Sequence, residues 1–352
     1  MTEKVCVETE SVNKPETQVI KSIYSGVFPY IINKLGISLV ISTYQANKLI
    51  NLHSQENEIR LEFCSFANPM GVATYEDRLT VGVRGGVWEL RNLASQPEKS
   101  EQRDACYIPY NYRVTGGIHI HDLQYVGSEL WFVNTVYSCL CTLHDDYNFV
   151  PQWQPQFVTK LVAEDRCHLN GLCLIDGKPK YVTAFGTTDS KDGWRKNKAN
   201  GGIIIDINSN EIVAKNLSMP HSPRWHNGNL WFLESGRGSL AKVDLDTGKI
   251  ETIVELPGFT RGLDFFGNFA FVGLSETREQ KVFDNIPLSE RLDTRAAGIW
   301  IIDLKTGNIV SYLQFADTVR EIYEVKVLAG IRQPEIVQHN SKKASQFIYF
   351  PQ

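Results

Sequence analysis

Four of the eight histidines in this chain fall at matching places in a repeating pattern. Segments that enter an apolar strand through a short polar turn recur at NPMGVATYEDRLTVGV (68–83), HIHDLQYVGSELWFVNT (119–135) and HLNGLCLIDGKPKYVTA (168–184). The series continues with MPHSPRWHNGNLWFLES (219–235), FTRGLDFFGNFAFVGLS (259–275) and TVREIYEVKVLAG (318–330). Aligning their starts gives an inner set, Met70, His121, Asn170, His221, Arg261 and Arg320, spaced by 40 to 59 residues. Two residues earlier lies an outer set, Asn68, His119, His168, Met219, Phe259 and Thr318. Residues two apart on a strand share a face, so both sets point into whatever space the starts enclose.

Neutral imidazole is the commonest protein ligand for zinc and also suits iron, copper and nickel. A catalytic metal takes three protein ligands and keeps one position for water or substrate. His121, His221 and Asn170 are the first ligand set, with His168 or His119 as substitute, and a divalent transition metal, zinc foremost, is the expected cofactor. Arg261 and Arg320 suit an anionic substrate group, because guanidinium is permanently charged and forks onto carboxylate or phosphate. Asp122, Asp264 and Glu321 are near enough in sequence to orient a ligand histidine or act as base. The alternative is that all these residues fill a channel by bonding to one another and to water.

The elements that must position them are β-hairpins. IIIDINSNEIVAKNL (203–217), AKVDLDTGKIETIVEL (241–256) and WIIDLKTGNIVSYLQF (300–315) alternate apolar residues around Asn or Gly turns, a direct hairpin signal. Weaker copies begin at Lys48, Val87 and Leu140. Two hairpins per repeat make four strands, the pattern of a propeller blade. The chain opens with SLVIST (38–43), a strand lacking an inner partner, and closes with EIYEVKVLAG (321–330), an inner strand lacking outer partners. Pairing the two closes a ring and removes exposed sheet edges. The expectation is an all-β, six-bladed β-propeller, with a five-blade ring or a pair of open sandwiches as the alternatives.

The two longest connections, 185–202 and 276–298, emerge on the side of the aligned starts. Long loops on a compact scaffold are often functional. Trp194, Arg195, Arg278 and Arg291 are therefore lid candidates, and His119, Trp194, Arg195 and Arg278 are the expected substrate contacts.

Composition narrows the classes. A net charge of −4 argues against a nucleic-acid binder, and no apolar run is long enough to span a membrane. The polar start lacks the apolar core of a secretory signal, so residues 1–25 read as a flexible tail, 26–352 as one domain, and the compartment as cytoplasm. Seven cysteines without a CxxC pair read as reduced thiols. No GxGxxG, GxxxxGK[ST], HExxH or GxSxG motif is present.

From about residue 30 the chain resembles an uncharacterised bacterial family of unknown function. The matching stretches are FANPMGVA, LWFVNT, EDRCHLNGL, YVTAFGTTD, GWR, SMPHSPRWH, LPGFTRGLDF and FVGLSETRE. A looser resemblance is to the six-bladed gluconolactonase, regucalcin and strictosidine-synthase group, where an Asn-Gly blade start supplies a pore ligand, as Asn170-Gly171 would here. The carboxylates that accompany it in those lactonases are replaced by His121, His221 and Arg261. A histidine-lined pore flanked by arginine is more similar to peptidyl-hydroxyglycine amidating lyase, which binds zinc with three histidines. These readings imply a metal-dependent lyase, hydrolase or isomerase acting on a small anionic molecule or a peptide. The alternatives are a non-catalytic propeller that binds a protein or peptide, and a lactonase-like hydrolase.

Overall fold

A computed structural model describes residues 3–9, 19–93, 103–276, 284–316 and 318–347. Six sheets stand in a ring, antiparallel except where Pro334–Ile336 adds in parallel to the outer edge of the first. The first blade runs outward through Val72–Tyr75, Arg78–Val83, Gly85–Asn92 and Ala105–Gly116. The second comprises Ile120–Val126, Glu129–Asn134, Cys139–Thr142 and Val150–Trp153. The third is Leu169–Ile175, Lys178–Ala184, Gly202–Asp206 and Ile212–Leu217. The fourth is Pro220–His226, Asn229–Glu234, Ser239–Val243 and Ile250–Glu255. The fifth is Phe259–Phe266, Phe269–Ser275, Ala297–Asp303 and Ile309–Ala316.

The sixth blade is assembled from both ends of the propeller. Its inner strand, Glu324–Ala329, pairs antiparallel with Ile37–Thr43, followed outward by Lys48–Gln55 and Glu58–Ser65. The inner strands contact one another in sequence around the ring, and that of the sixth blade meets that of the first.

The second and third strands of the blades are mostly buried on both faces and read as near-continuous apolar runs, whereas the outermost strands alternate or stand partly exposed. One hydrophobic cluster fills each gap between neighbouring blades. Leu169, Leu172 and Val182 of the third blade pack on Val133 and Leu140 of the second, and Ile299 and Phe271 of the fifth pack on Leu39 and Ile41 of the sixth.

Two features depart from the sequence expectation. Helix α1 (Phe28–Leu35) buries Phe28, Ile31 and Ile32 and ends at Gly36, whose φ of 67° suits glycine. Ahead of it, Val19–Ser25 is a strand hydrogen-bonded to Ile309–Ala316, and Glu3–Thr9 pairs with it in turn. The tail expected through residue 25 therefore gives way to sheet. The cause is burial: Ile20 and Tyr24 enter the core cluster between the fifth and sixth blades. The six cysteines whose side chains are described are free thiols, as expected. No helix among the described residues is long and apolar enough to cross a membrane.

Candidate functional site

Every blade start faces the same mouth of the central channel, and the backbone there is not regular strand. Asn68, His119, His168 and Met219 have φ of 46°, 53°, 52° and 48°, left-handed values that non-glycine residues seldom adopt. Just beyond them the pairing register slips between Ile120 and Leu123, Leu169 and Gly171, His221 and Arg224, and Thr260 and Leu263. Such bulges re-aim side chains next to sites. Here they turn the first residues of those four blades toward the mouth.

Hydroxyl residues at the end of the second strands lock this register. Thr135 donates to the carbonyl of Leu169 at 2.7 Å, Ser235 to Thr260 at 2.5 Å and Ser275 to Ile322 at 2.9 Å. The residues that follow those carbonyls, Asn170, Arg261 and Tyr323, are thus equivalent. The inner set is Met70, His121, Asn170, His221, Arg261 and Tyr323. The sequence alignment misplaced the sixth member by three residues. Arg320 lies outside the set with its side chain 60% exposed and its Nε 3.9 Å from Glu276. Glu321, not Thr318, takes the outer place.

The mouth brings His121, His168 and His221 together. The His121 ring meets His168 edge-on at 4.9 Å between centroids and lies 6.5 Å from His221. His119 stacks on His121 at 6.5 Å. Tyr323 meets His121 at 5.3 Å, and the Arg261 guanidinium lies 3.4 Å over the Tyr323 ring. Among the described residues no three histidine, cysteine or carboxylate side chains are arranged to hold a metal ion.

Two of the histidines have their tautomers set. Ser235 donates its proton to Thr260, so its oxygen accepts from the Nδ1–H of His221 at 2.8 Å. His168 Nδ1 lies 2.7 Å from Asp165 Oδ2 and donates to that carboxylate. Asn170 is engaged at both ends: its oxygen accepts from Thr183 at 2.7 Å and its amide donates to the carbonyl of His168 at 3.1 Å. The expected pore ligand is thereby engaged in holding its own blade.

The long loops do cover the mouth. Trp194 packs on His168 at 4.4 Å and on Phe185 at 5.2 Å. Ile286 and Leu288 come from the other loop and join Phe185, Trp194, Met219 and Phe259 in one apolar cluster. Arg195 stacks outside Trp194 at 4.5 Å and pairs with Asp192, so it shields the indole rather than reaching the channel. Arg291, on α2 (Pro287–Arg291), caps the carbonyls of Arg237 and Leu256 at 2.9 and 2.8 Å. Arg278 lies outside the described residues.

Asp122 and Asp264 do not serve the histidines. Asp122 binds Arg224 of the fourth blade at 2.7 Å, and Arg224 also reaches Glu324 of the sixth at 3.0 Å. This buried triad ties alternate blades across the channel beneath the mouth. Burial opposes the charge on Arg224, but Asp122 and Glu324 outweigh it and raise its pKa. Asp264 pairs with Lys326 at 3.2 Å.

Burial first, then Arg261 and His168, holds the pKa values of His121 and His221 well below the usual 6.5. In the unfolded chain both take a proton near pH 6.5, as free imidazole does. Below that pH the unfolded state holds more protons than the folded one, so stability falls as the pH drops through about 6.5. Thermal unfolding is expected at lower temperature at about pH 5.5 than at about pH 7.5. The His121→Gln/His221→Gln double variant should flatten that difference, and an unchanged slope would count against this origin.

The buried polar atoms at the mouth without a partner include three nitrogens, His121 Nδ1, Trp194 Nε1 and Arg261 Nη2, beside the oxygens Tyr323 Oη and Asp165 Oδ1. Two of these nitrogens can only donate. Among the described residues, Arg261 has no carboxylate within ion-pair distance. Sequence reasoning missed Asp165, Phe185, Tyr323 and Ser235. Only the hydroxyl residues that end the second strands, in LWFVNT, LWFLES and FVGLSE, left a repeating trace.

The ring of six sheets, each with four blade strands, its last blade built from strands near both ends of the domain and its channel entered by a polar mouth, defines a six-bladed β-propeller. Within that class the chain belongs to DUF4915, a domain family of unknown function whose model matches residues 26–337. No curated protein matches it. Among solved structures it is similar to a protein of unknown function from Bacteroides caccae, at 10% identity and TM-score 0.53, over 83% of this chain and 98% of that one. It is also similar to a chain in the crystal structure of a nidogen/laminin complex, at 11% identity and TM-score 0.50, over 84% and 99%. Both likenesses concern the fold alone.

Proposed function

We propose that the mouth binds a small anionic molecule and that the protein is an enzyme acting on it, of the lyase, hydrolase or isomerase kind. One observation carries this: Arg261 is a buried guanidinium whose Nη2 has no hydrogen-bond partner, and two further buried nitrogens at the mouth, His121 Nδ1 and Trp194 Nε1, are likewise unsatisfied. A buried polar group without a partner costs about 1–3 kcal/mol, more when charged. A carboxylate or phosphate would satisfy these groups together and take the bidentate geometry that arginine offers. The neutral histidines beside it supply proton donors and acceptors near neutral pH. A lactonase-like reaction through Asn170 is less well supported, because both ends of that carboxamide are engaged.

The test is a thermal-shift titration with inorganic phosphate and a set of small mono- and dicarboxylates, on wild type and Arg261→Met, with elemental analysis of tag-free protein. A ligand at about 100 times its Kd stabilises by about 2.7 kcal/mol. At least one anion should raise the melting temperature of wild type and leave the variant unmoved. Equal shifts in both proteins would sink the reading. Near one equivalent of zinc, iron, copper or nickel, lost in a His121→Ala/His221→Ala variant, would replace it with a metal-dependent one.

A further inference from the structure

The mouth histidines differ in what stands behind them. His221 is backed by a neutral serine hydroxyl. His121 has no partner at Nδ1, and after burial the Arg261 charge acts most strongly against its protonation. Only His168, among these three, is hydrogen-bonded to a carboxylate. A carboxylate on Nδ1 fixes the tautomer, leaves the Nε2 lone pair on the opposite edge of the ring, and stabilises the imidazolium once a proton arrives.

The pair is rigidly built. Asp165 donates its backbone N–H to the carbonyl of Val136 at 2.8 Å. Arg166, between the two, is clamped by Glu164 at 2.9 Å and Asp189 at 2.5 Å. The His168 ring is stacked on Phe185 at 4.5 Å and contacts Trp194 at 4.4 Å. Aromatic neighbours of this kind keep water from the ring faces and leave its edge as the reactive part. The second carboxylate oxygen, Asp165 Oδ1, is buried without a partner.

We propose that His168 is the proton acceptor of the anion site and Asp165 its positioning residue. The ligand is a small carboxylate or phosphate that carries a hydroxyl a few bonds from the anionic group. This rests on the anion reading above. From His168 the path to the anchor runs through His121 at 4.9 Å and Tyr323 at 5.3 Å to the Arg261 guanidinium. In the step, the hydroxyl proton passes to His168 Nε2 and the electron pair stays on the substrate oxygen. Asp165 remains a carboxylate facing the new imidazolium, and the anionic group stays on Arg261. No oxidant or metal enters the balance, and the proton returns by the reverse path.

Glycolate and acetate test this, since they differ by the one hydroxyl. Long-range 1H–15N spectra of histidine-labelled full-length protein report each imidazole nitrogen. Wild type should show His168 as the Nδ1–H tautomer. Glycolate should move its Nε2 resonance, and acetate should move His121 while leaving Nε2 of His168 in place. Asp165→Asn should flip the His168 tautomer and weaken glycolate about tenfold, the worth of one hydrogen bond to a charged group, with acetate unchanged. If both acids move His121 and neither moves His168, the anion site stands and the proton-transfer pair is overturned. If neither moves any mouth histidine, both readings fail. An Nε2–H tautomer in wild type overturns the pair without any variant.

Discussion

Arg261→Met is expected to make the protein more stable. The guanidinium lies over Tyr323 with no carboxylate within ion-pair distance among the described residues, and burial lowers its pKa below the ordinary arginine value although Tyr323 and the Glu324 charge act the other way. Its contact with the Tyr323 face returns part of the desolvation cost, as cation–π contacts do. The direction of the shift says the return is incomplete. A methionine fills similar volume without a charge. The expected gain is about 1 kcal/mol, in the range usual when a site residue is exchanged for stability. That corresponds to a melting temperature about 3 °C higher for a domain of this size. A loss of stability would mean that Arg261 is a structural filler of the channel, and the main argument for an anion site would go with it.

The opposite sign is expected one layer deeper. Arg224 donates to Asp122, Glu324 and the carbonyls of Leu263, Leu172 and Pro223. Asp122 also accepts the backbone N–H of Leu172 at 3.1 Å. Removing one member leaves the others buried and uncompensated, which costs about 3–5 kcal/mol. Asp122→Ala and Arg224→Ala should each lose about that much in urea unfolding, among the largest single-site losses in the chain. Replacing all three by apolar residues of similar volume should recover most of it, because a fully apolar cluster buries no charge. A loss under about 1 kcal/mol in the single variants would show that water reaches the triad. The two predictions together separate a charge that serves the fold from one that does not.

The blades were readable because their physics is local. A hairpin needs a turn residue between apolar runs, and both lie within about fifteen residues of one another. The closing blade was readable in outline, since an unpaired strand at each end implies a partner. Its register was not. The other inner strands pair with the next strand in sequence, whereas Glu324–Ala329 pairs with Ile37–Thr43, at the other end of the chain. No turn length ties the two, so Arg320 was set where Tyr323 stands. The short strand at Val19–Ser25 was hidden for a similar reason. Its partner, Ile309–Ala316, is far along the chain, and its few apolar residues sit in a polar stretch.

At the site, the histidines stood out by type and spacing, and the structure does bring His121, His168 and His221 side by side. Their partners are a different matter. Asp165 lies three residues before His168, a spacing that carries no meaning outside a helix until the left-handed backbone at both residues turns them together. Asp122 looked like a histidine partner because it adjoins His121. The bulge between Ile120 and Leu123 sends it to Arg224 instead, a hundred residues away. Side chains that meet across the channel come from different blades, and sequence gives no measure of that distance.

The central claim is that the mouth is an anion site. Diffraction from a crystal soaked in sodium bromide tests it without knowledge of the natural ligand, because anomalous scattering locates each bound bromide. The account predicts a peak within hydrogen-bond reach of Arg261, beside His121 or Trp194, and its disappearance in Arg261→Met. Bromide found only at scattered surface lysines and arginines, with none at the mouth, would contradict it.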